Sequence, residues 1–157
     1  QRQMCIRDRF MPMCYLYRNA VELGLKRVIV EDSHIDNTKA IKVTQKKKHS
    51  ILGLWNSIAD EIKEYANAPD DDTTLEDTQQ YIQTFHDFDQ SSDLFRYPCN
   101  KNMKPYFLSA RKFDIENVAS CFEELCNFLD AVDSMLSEIK DYEAEMAAEM
   151  ASYYDYY

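Results

Sequence analysis

An apolar repeat in the last third of the chain constrains the fold more than any other sequence feature. Apolar residues recur there at alternating steps of three and four, at Ile115, Val118, Phe122, Leu125, Leu129, Val132, Leu136 and Ile139. This alternation gives an α-helix one apolar face, and it does not fit the two-residue period of a β-strand. The repeat predicts a helix capped by Asp114 that continues to about Ser152, or ~60 Å at 1.5 Å per residue.

Composition extends the helical prediction to the rest of the chain. The sequence has 157 residues, of which 45% are apolar, but only two of them are glycines, Gly24 and Gly53. A β-sandwich or a doubly wound sheet needs more glycine in its turns. The length suits one domain. We therefore predict an all-α protein, an antiparallel four- to five-helix bundle with a long C-terminal helix.

Earlier segments supply the other predicted helices. Helical spacing of apolar residues predicts helices over about 11–31, 50–66 with Ser50 as N-cap, and 74–87 with Thr74 and Asp77 as a capping box. Gly24 falls inside the first of these helices, where we expect a close helix crossing. We predict that 32–48 is a polar connection with a short extended piece at 41–43. The aromatic-rich segment 89–111 is predicted to be an ordered loop packed on the bundle.

Charge is distributed unevenly along the chain, whose formal net charge is −10. Five lysines and no acidic residue occupy 39–48, whereas twelve acidic residues and one lysine follow from Asp114 onward. The net charge argues against a protein that coats nucleic acid electrostatically. Each charged run is interpreted first as a solvated face. The alternative is that the lysine segment meets a polyanion or the acidic helix of another subunit.

The cysteines and the hydropathy indicate a cytoplasmic protein. There are five cysteines without a CxxC pair, which argues against a zinc site. We predict no metal site and no cofactor. An odd number of cysteines suits reduced thiols in the cytoplasm. No apolar run approaches the ~20 residues that cross a membrane, so no membrane partner is expected.

The first nine residues, QRQMCIRDR, resemble a translated sequencing-adapter remnant. We therefore predict that 1–9 is a non-native leader, that 10–142 is the helical bundle, and that 143–157 is an acidic, tyrosine-rich helical extension or frayed tail.

Three blocks resemble the HEPN-like superfamily. YRNAVELGLK at 17–26 resembles an R-[HN]-x-x-E-L-x-L-K block, and HSILGLW at 49–55 resembles the H-x-L-x-x-L-[WY] block of the next core helix. DQSSDLFRYP at 89–98 resembles an element found before the final helix in uncharacterised bacterial members. The resemblance covers about 10–139. It implies a helical bundle, often dimeric, with associations to RNA cleavage, toxin–antitoxin pairs and phage defence.

HEPN ribonucleases carry an arginine followed, after four to six residues, by a histidine. Arg27 and His34 match this spacing, but Val28 stands where those enzymes usually have a polar residue. The pair also spans a predicted helix end instead of lying late in the bundle. This departure argues against ribonuclease activity.

The remaining candidate residues form a polar cluster made of Arg18, Glu22, His49, Arg96 and Tyr97. Arg18 and Glu22 are spaced to pair along one helix face, which favours a structural ion pair over a groove-facing site. His49 is interpreted first as a helix cap, and Arg96 first as a loop anchor, although arginine beside an aromatic residue also suits phosphate or base contact. Trp55 is predicted to lie in the core.

Two functional hypotheses follow from these residues. In the first, the protein acts by association, as a homodimer or with an operon-encoded partner. In the second, it is an RNA-directed nuclease or a nucleotide- or RNA-binding module that uses the Arg/Glu/His cluster.

Overall fold

The structure, a computed structural model, describes residues 2–66, 68–69, 71–90, 92–97, 99–106 and 114–154. These residues form α-helices and no multi-residue strand, so the all-α prediction is confirmed. The helices are α1 (Arg2–Arg27), α2 (Asn37–Lys47), α3 (Ile51–Trp55), α4 (Ala59–Ala66), α5 (Thr74–Phe88) and α6 (Ile115–Tyr154), and a π-helical turn (Val28–Asp32) follows α1. None of the described helices is both long and apolar enough to cross a membrane.

The core forms where α1 and its π-helical turn pack against α6, with α3, α4 and α5 closing the sides. The apolar repeat of α6 supplies five buried residues: Phe122, Leu125, Leu129, Val132 and Leu136. Trp55 of α3 is buried as predicted, and its indole N–H donates to Gln79 of α5. The three- and four-residue spacing therefore identified the core face of the longest helix.

Gly24 lies where α1 meets α6, so the predicted close helix crossing is confirmed. A Cβ atom built on Gly24 would lie 3.1 Å from Leu129 Cδ1, closer than ordinary van der Waals contact. The missing side chain lets α1 approach α6 and offsets the cost of about 1 kcal/mol that glycine imposes on a helix interior.

The segment predicted as a polar connection contains a helix, so the prediction for 32–48 was wrong over α2. Asp36 caps α2, accepting hydrogen bonds from the backbone N–H groups of Thr38 and Lys39 at 3.1 and 3.2 Å. Lys46 and Lys47 lie in its last turn, where cations interact favourably with the helix dipole. Only Ala40 of this helix is buried, so α2 lacks the broad apolar face that sequence periodicity detects.

The helix predicted over 50–66 is two helices, because the chain turns at 56–58 between α3 and α4. Ser50 is the N-cap as predicted, and its Oγ accepts a hydrogen bond from the Gly53 N–H at 3.1 Å. Ile58, in the turn, is buried and keeps the apolar face continuous across the break. The side-chain spacing therefore resembled one uninterrupted helix.

Two other helix starts differ from prediction. The structure carries α1 back to Arg2, so Pro12 lies inside the helix instead of in its first turn. A proline there removes one backbone hydrogen bond without preventing helix on both sides.

At α5, Asp72 accepts from the Thr74 N–H at 2.8 Å and Thr73 Oγ1 donates to Asp77, so the predicted Thr74–Asp77 box is wrong. Asp114 caps α6 as predicted.

A second small core joins the loop after α5 to the start of α1. Phe95 of this loop is buried against Phe10 and Cys14 of α1, and it stacks on Phe88. The prediction of a packed aromatic loop is therefore confirmed for its first part, while 107–113 lie outside the described residues.

Two surfaces expose apolar residues at helical spacing. Leu16, Ala20 and Leu23 of α1 lie on a solvent-facing stripe. The last part of α6, residues 141–153, is exposed throughout, and we call it the acidic extension. It carries Tyr142, Met146 and Met150 at four-residue steps.

Candidate functional site: a buried arginine network

Arg18 of α1 is fully buried, with 0% of its surface exposed, and all three nitrogens of its guanidinium group have partners. NH1 donates to Glu22 Oε2 at 3.1 Å, NH2 donates to the backbone oxygen of His49 at 2.6 Å, and Nε donates to the backbone oxygen of Asp89 at 3.3 Å. The side chain therefore ties α1 to the two loops that precede α3 and follow α5.

Glu22 links Arg18 to Lys26 and His49. Its carboxylate accepts from Lys26 Nζ at 2.7 Å and lies 3.0 Å from His49 Nδ1. Burial by itself would raise the pKa of Glu22, but the hydrogen bonds and charges of Lys26 and His49 outweigh burial and hold that pKa below its ordinary value. Glu22 is therefore ionised at neutral pH. The predicted grouping of Arg18, Glu22 and His49 is present in the structure.

Asp89 completes the network from the opposite side. Its Oδ2 is 3.7 Å from Arg18 Nε, and its Oδ1 accepts hydrogen bonds from the backbone N–H groups of Asp93 and Leu94. One carboxylate thus fixes the loop turn and faces the buried guanidinium. Asp89 opens the DQSSDLFRYP block, yet its part in the network was missed, because loop spacing gives no periodic signal for such a contact.

Arg96 and Tyr97 have different neighbours from Arg18. The Arg96 guanidinium lies 5.4 Å from the centre of the Tyr15 ring on α1 and 5.6 Å from that of the Tyr97 ring. These are cation–π distances. Arg96 and Tyr97 are exposed. The predicted five-residue cluster therefore divides into a buried network around Arg18 and an exposed stack around Arg96.

Arg27 and His34 do not form a paired site in the structure, because each contacts different residues. Arg27 forms ion pairs with Glu31 and Asp133. His34 lies 2.8 Å from Glu61 and 3.0 Å from Glu143, and its ring stacks on Tyr65. The Glu61 hydrogen bond raises the pKa of His34, with Glu143 adding to the effect.

A pair of carboxyl groups joins the π-helical turn to α6. Asp32 is buried and forms a side-chain hydrogen bond with Asp133. Burial, that hydrogen bond and the negative charge of Asp133 raise the pKa of Asp32 to about 6. Asp32 Oδ2 and Asp133 Oδ1 are buried without a hydrogen-bond partner within the described residues, which suits a proton shared between the two carboxyl groups. Sequence spacing gave no indication of this pair, since the two residues are about a hundred positions apart.

Other reactive groups in the described part of the chain do not form a site. Burial raises the pKa of the Cys14 thiol to about 12, which removes it as a nucleophile at neutral pH. Within the described residues, no group of three or more His, Cys, Asp or Glu side chains could hold a metal ion.

Comparison of the chain with protein-family models, with curated proteins and with solved structures finds no match. The HEPN-like assignment therefore stays a prediction that rests on the three sequence blocks.

Removal of the buried guanidinium should destabilise the fold strongly. Arg18→Ala removes the cation that faces buried Asp89 and one of the two cations paired with Glu22, which keeps Lys26. We expect a loss of about 3–5 kcal/mol in the free energy of unfolding. Arg96→Ala is the matched control, because it removes an exposed arginine held by ring contacts and should cost under about 1 kcal/mol. Urea denaturation followed by circular dichroism measures both values. Equal losses for the two variants would contradict the assigned role of Arg18.

The Asp32–Asp133 pair should make stability depend on pH. Between about pH 4 and pH 6 the folded protein keeps a proton that the unfolded chain has released, so the free energy of unfolding falls as pH rises. Asp32→Asn removes this titration and can still donate to Asp133. We expect it to be more stable than wild type above pH 6, by on the order of 1–3 kcal/mol, with a smaller difference near pH 4.

Denaturation curves recorded from pH 4 to pH 7 test this dependence. Asp133→Asn is the comparison variant: it also removes the carboxyl repulsion, but it deprives Arg27 of an ion pair and should gain less. A difference between Asp32→Asn and wild type that stays constant over this pH range would contradict the shared proton.

Proposed function

We propose that this protein acts by association with other protein chains, as a homodimer or with an operon-encoded partner. The observation that carries the proposal is the exposed apolar stripe of Leu16, Ala20 and Leu23 on α1. Leu16 is 64% exposed and Leu23 is 55% exposed. The opposite face of the same helix forms the core, so α1 is apolar on two sides, a pattern typical of a helix covered on both.

The chemistry of the arginine network favours this proposal over catalysis. A catalytic arginine must reach a substrate, whereas each nitrogen of Arg18 is already occupied by a protein oxygen and the residue is sealed from solvent. The HEPN-like blocks suggest a bacterial defence or toxin–antitoxin setting, in which association with a partner is a common mode of action. We propose the same setting for this protein.

Charged substitutions on the α1 stripe should prevent association without unfolding the bundle. We expect Leu16→Glu with Leu23→Glu to be monomeric under conditions in which the wild-type chain is dimeric, because two carboxylates replace the apolar contact. Size-exclusion chromatography with light scattering measures the mass. Gln80→Glu with Thr84→Glu, on the exposed face of α5, adds the same charge and should leave the mass unchanged.

Two results would count against this interface. A wild-type chain that stays monomeric at high micromolar concentration excludes the homodimer and leaves only the operon-encoded partner. A stripe variant that keeps the wild-type mass at high salt, where contacts between charged surfaces are screened, would show that α1 does not form the contact.

One observation favours the second candidate, an RNA-directed nuclease. Glu22 lies at hydrogen-bond distance from His49 Nδ1, and the His49 side chain is 54% exposed. A carboxylate that accepts from Nδ1–H leaves Nε2 as the basic nitrogen, and such a pair can act as a general base. The Arg96 stack would then serve as a binding element for phosphate or a base.

The nuclease hypothesis predicts cleavage of a mixed RNA pool that is lost in His49→Ala while the helical circular dichroism spectrum is kept. His34→Ala is the matched control, because His34 is also paired with carboxylates but lies outside the Arg18 network. The same cleavage by wild type and His49→Ala, or cleavage by neither, would exclude this candidate.

A further inference from the structure

The acidic extension of α6 and the lysine-rich helix α2 have opposite charge, and each has exposed apolar surface beside its charged residues. We propose that the acidic extension of one chain packs on α2 of a second copy, and that two such contacts form in a symmetric pair. This inference rests on the proposed function, since it specifies a second copy as the partner. It concerns a surface other than the α1 stripe.

The acidic extension is attached to the bundle at its beginning. Lys140 Nζ donates to the backbone oxygen of Glu31 at 2.6 Å, and Glu143 Oε2 lies 3.0 Å from His34 Nε2. From there to residue 153 every residue is exposed, over a length of roughly 15 Å. A solvated helix end of this length gains little from its own hydrogen bonds, so contact with another surface would add to its stability.

The extension has an apolar row with an acidic row beside it. Tyr142, Met146 and Met150 form the apolar row and are exposed. The acidic row consists of the residue immediately before each of them, namely Asp141, Glu145 and Glu149. Four residues advance a helix by about 6 Å and return nearly to the same face, so both rows follow one side of α6.

Helix α2 has a row of lysines beside a single exposed apolar residue. Ile41 is an exposed large apolar residue, and Lys42 beside it begins a row that Lys46 continues at a four-residue step. Lys39 and Lys48 are also exposed. No acidic residue occurs from Asn37 to Lys48, and no ion pair involves these lysines among the described residues.

Charge decides which partner fits the extension. Two extensions paired with each other would bring eight carboxylates together, since 141–153 contains four acidic residues and no basic one. Pairing with α2 instead places Asp141, Glu145 and Glu149 against lysines and covers Ile41 with methionine side chains. Exposed ion pairs contribute little individually, so the contact should be weak and sensitive to salt.

Charge exchange tests this contact. The first variant, the α2 variant, carries Lys39→Glu, Lys42→Glu and Lys46→Glu. The second, the α6 variant, carries Asp141→Lys, Glu145→Lys and Glu149→Lys. Each alone should weaken self-association about tenfold or more, because three ion pairs become repulsive in each contact. Sedimentation equilibrium at low and high salt measures the constants, and circular dichroism checks the helices.

Mixing the two variants gives the decisive measurement. In the mixture the α2 of each variant meets an extension of opposite charge, so a heterodimer of near wild-type affinity should form. An unrelated change in folding or net charge cannot produce this recovery. A chain that carries both exchanges should also dimerise by itself.

Several outcomes would overturn the contact. If wild type dimerises and neither charge variant changes its mass, the contact is wrong while association through α1 still stands. If a chain that combines Leu16→Glu and Leu23→Glu with the α2 exchanges is still dimeric, both surfaces are wrong. If wild type is monomeric at low salt, the second copy is excluded. If the α2 variant loses RNA binding and keeps its dimer, the lysines form a nucleic-acid surface instead.

Discussion

The buried Arg18 guanidinium is the interaction on which the arrangement of this fold depends. A charge removed from water is tolerated only when each of its donors finds an oxygen and opposite charge lies nearby. Glu22 supplies the charge from the same helix, and backbone oxygens of His49 and Asp89 supply the remaining acceptors. These two acceptors belong to different loops, so one side chain sets the position of both relative to α1. Misplacing either loop would leave a buried donor without a partner.

The same network connects the fold to both functional hypotheses. It uses Arg18 for structure, which removes the residue from consideration as a substrate-binding group. It also orients His49 through Glu22 at the edge of the network, where the imidazole remains half exposed. The apolar stripe on α1 and the opposite charges of α2 and the acidic extension are separate surfaces, and both suit contact with other chains. The proposed association would therefore use features that the bundle itself does not need.

Local sequence signals succeeded where one helix face carries most of the packing. The apolar repeat identified the buried residues of α6. Asp114 and Ser50 were correctly predicted as the N-caps of their helices, and Gly24 correctly indicated a close helix crossing, which lies at Leu129. The signals failed at α2, where a helix rich in lysine buries only Ala40 and is stabilised by its Asp36 cap and by its neighbours. They failed also at 56–58, where Ile58 stays on the apolar face while the chain turns. The spacing of apolar residues shows which side chains share a face, but it does not show where the backbone turns.

The sequence by itself determined that the protein is helical, that Gly24 permits a close contact, and that Arg18 and Glu22 pair, because these depend on residues within a few turns of one another. The tertiary structure alone decided that Arg18 is sealed, that Asp89 joins its network, and that Arg96 stacks on Tyr15 instead. It alone brought Asp32 beside Asp133 and left Leu16 and Leu23 exposed. Burial and long-range electrostatics depend on the complete packing of the helices, and the sequence contains no local signal for that packing.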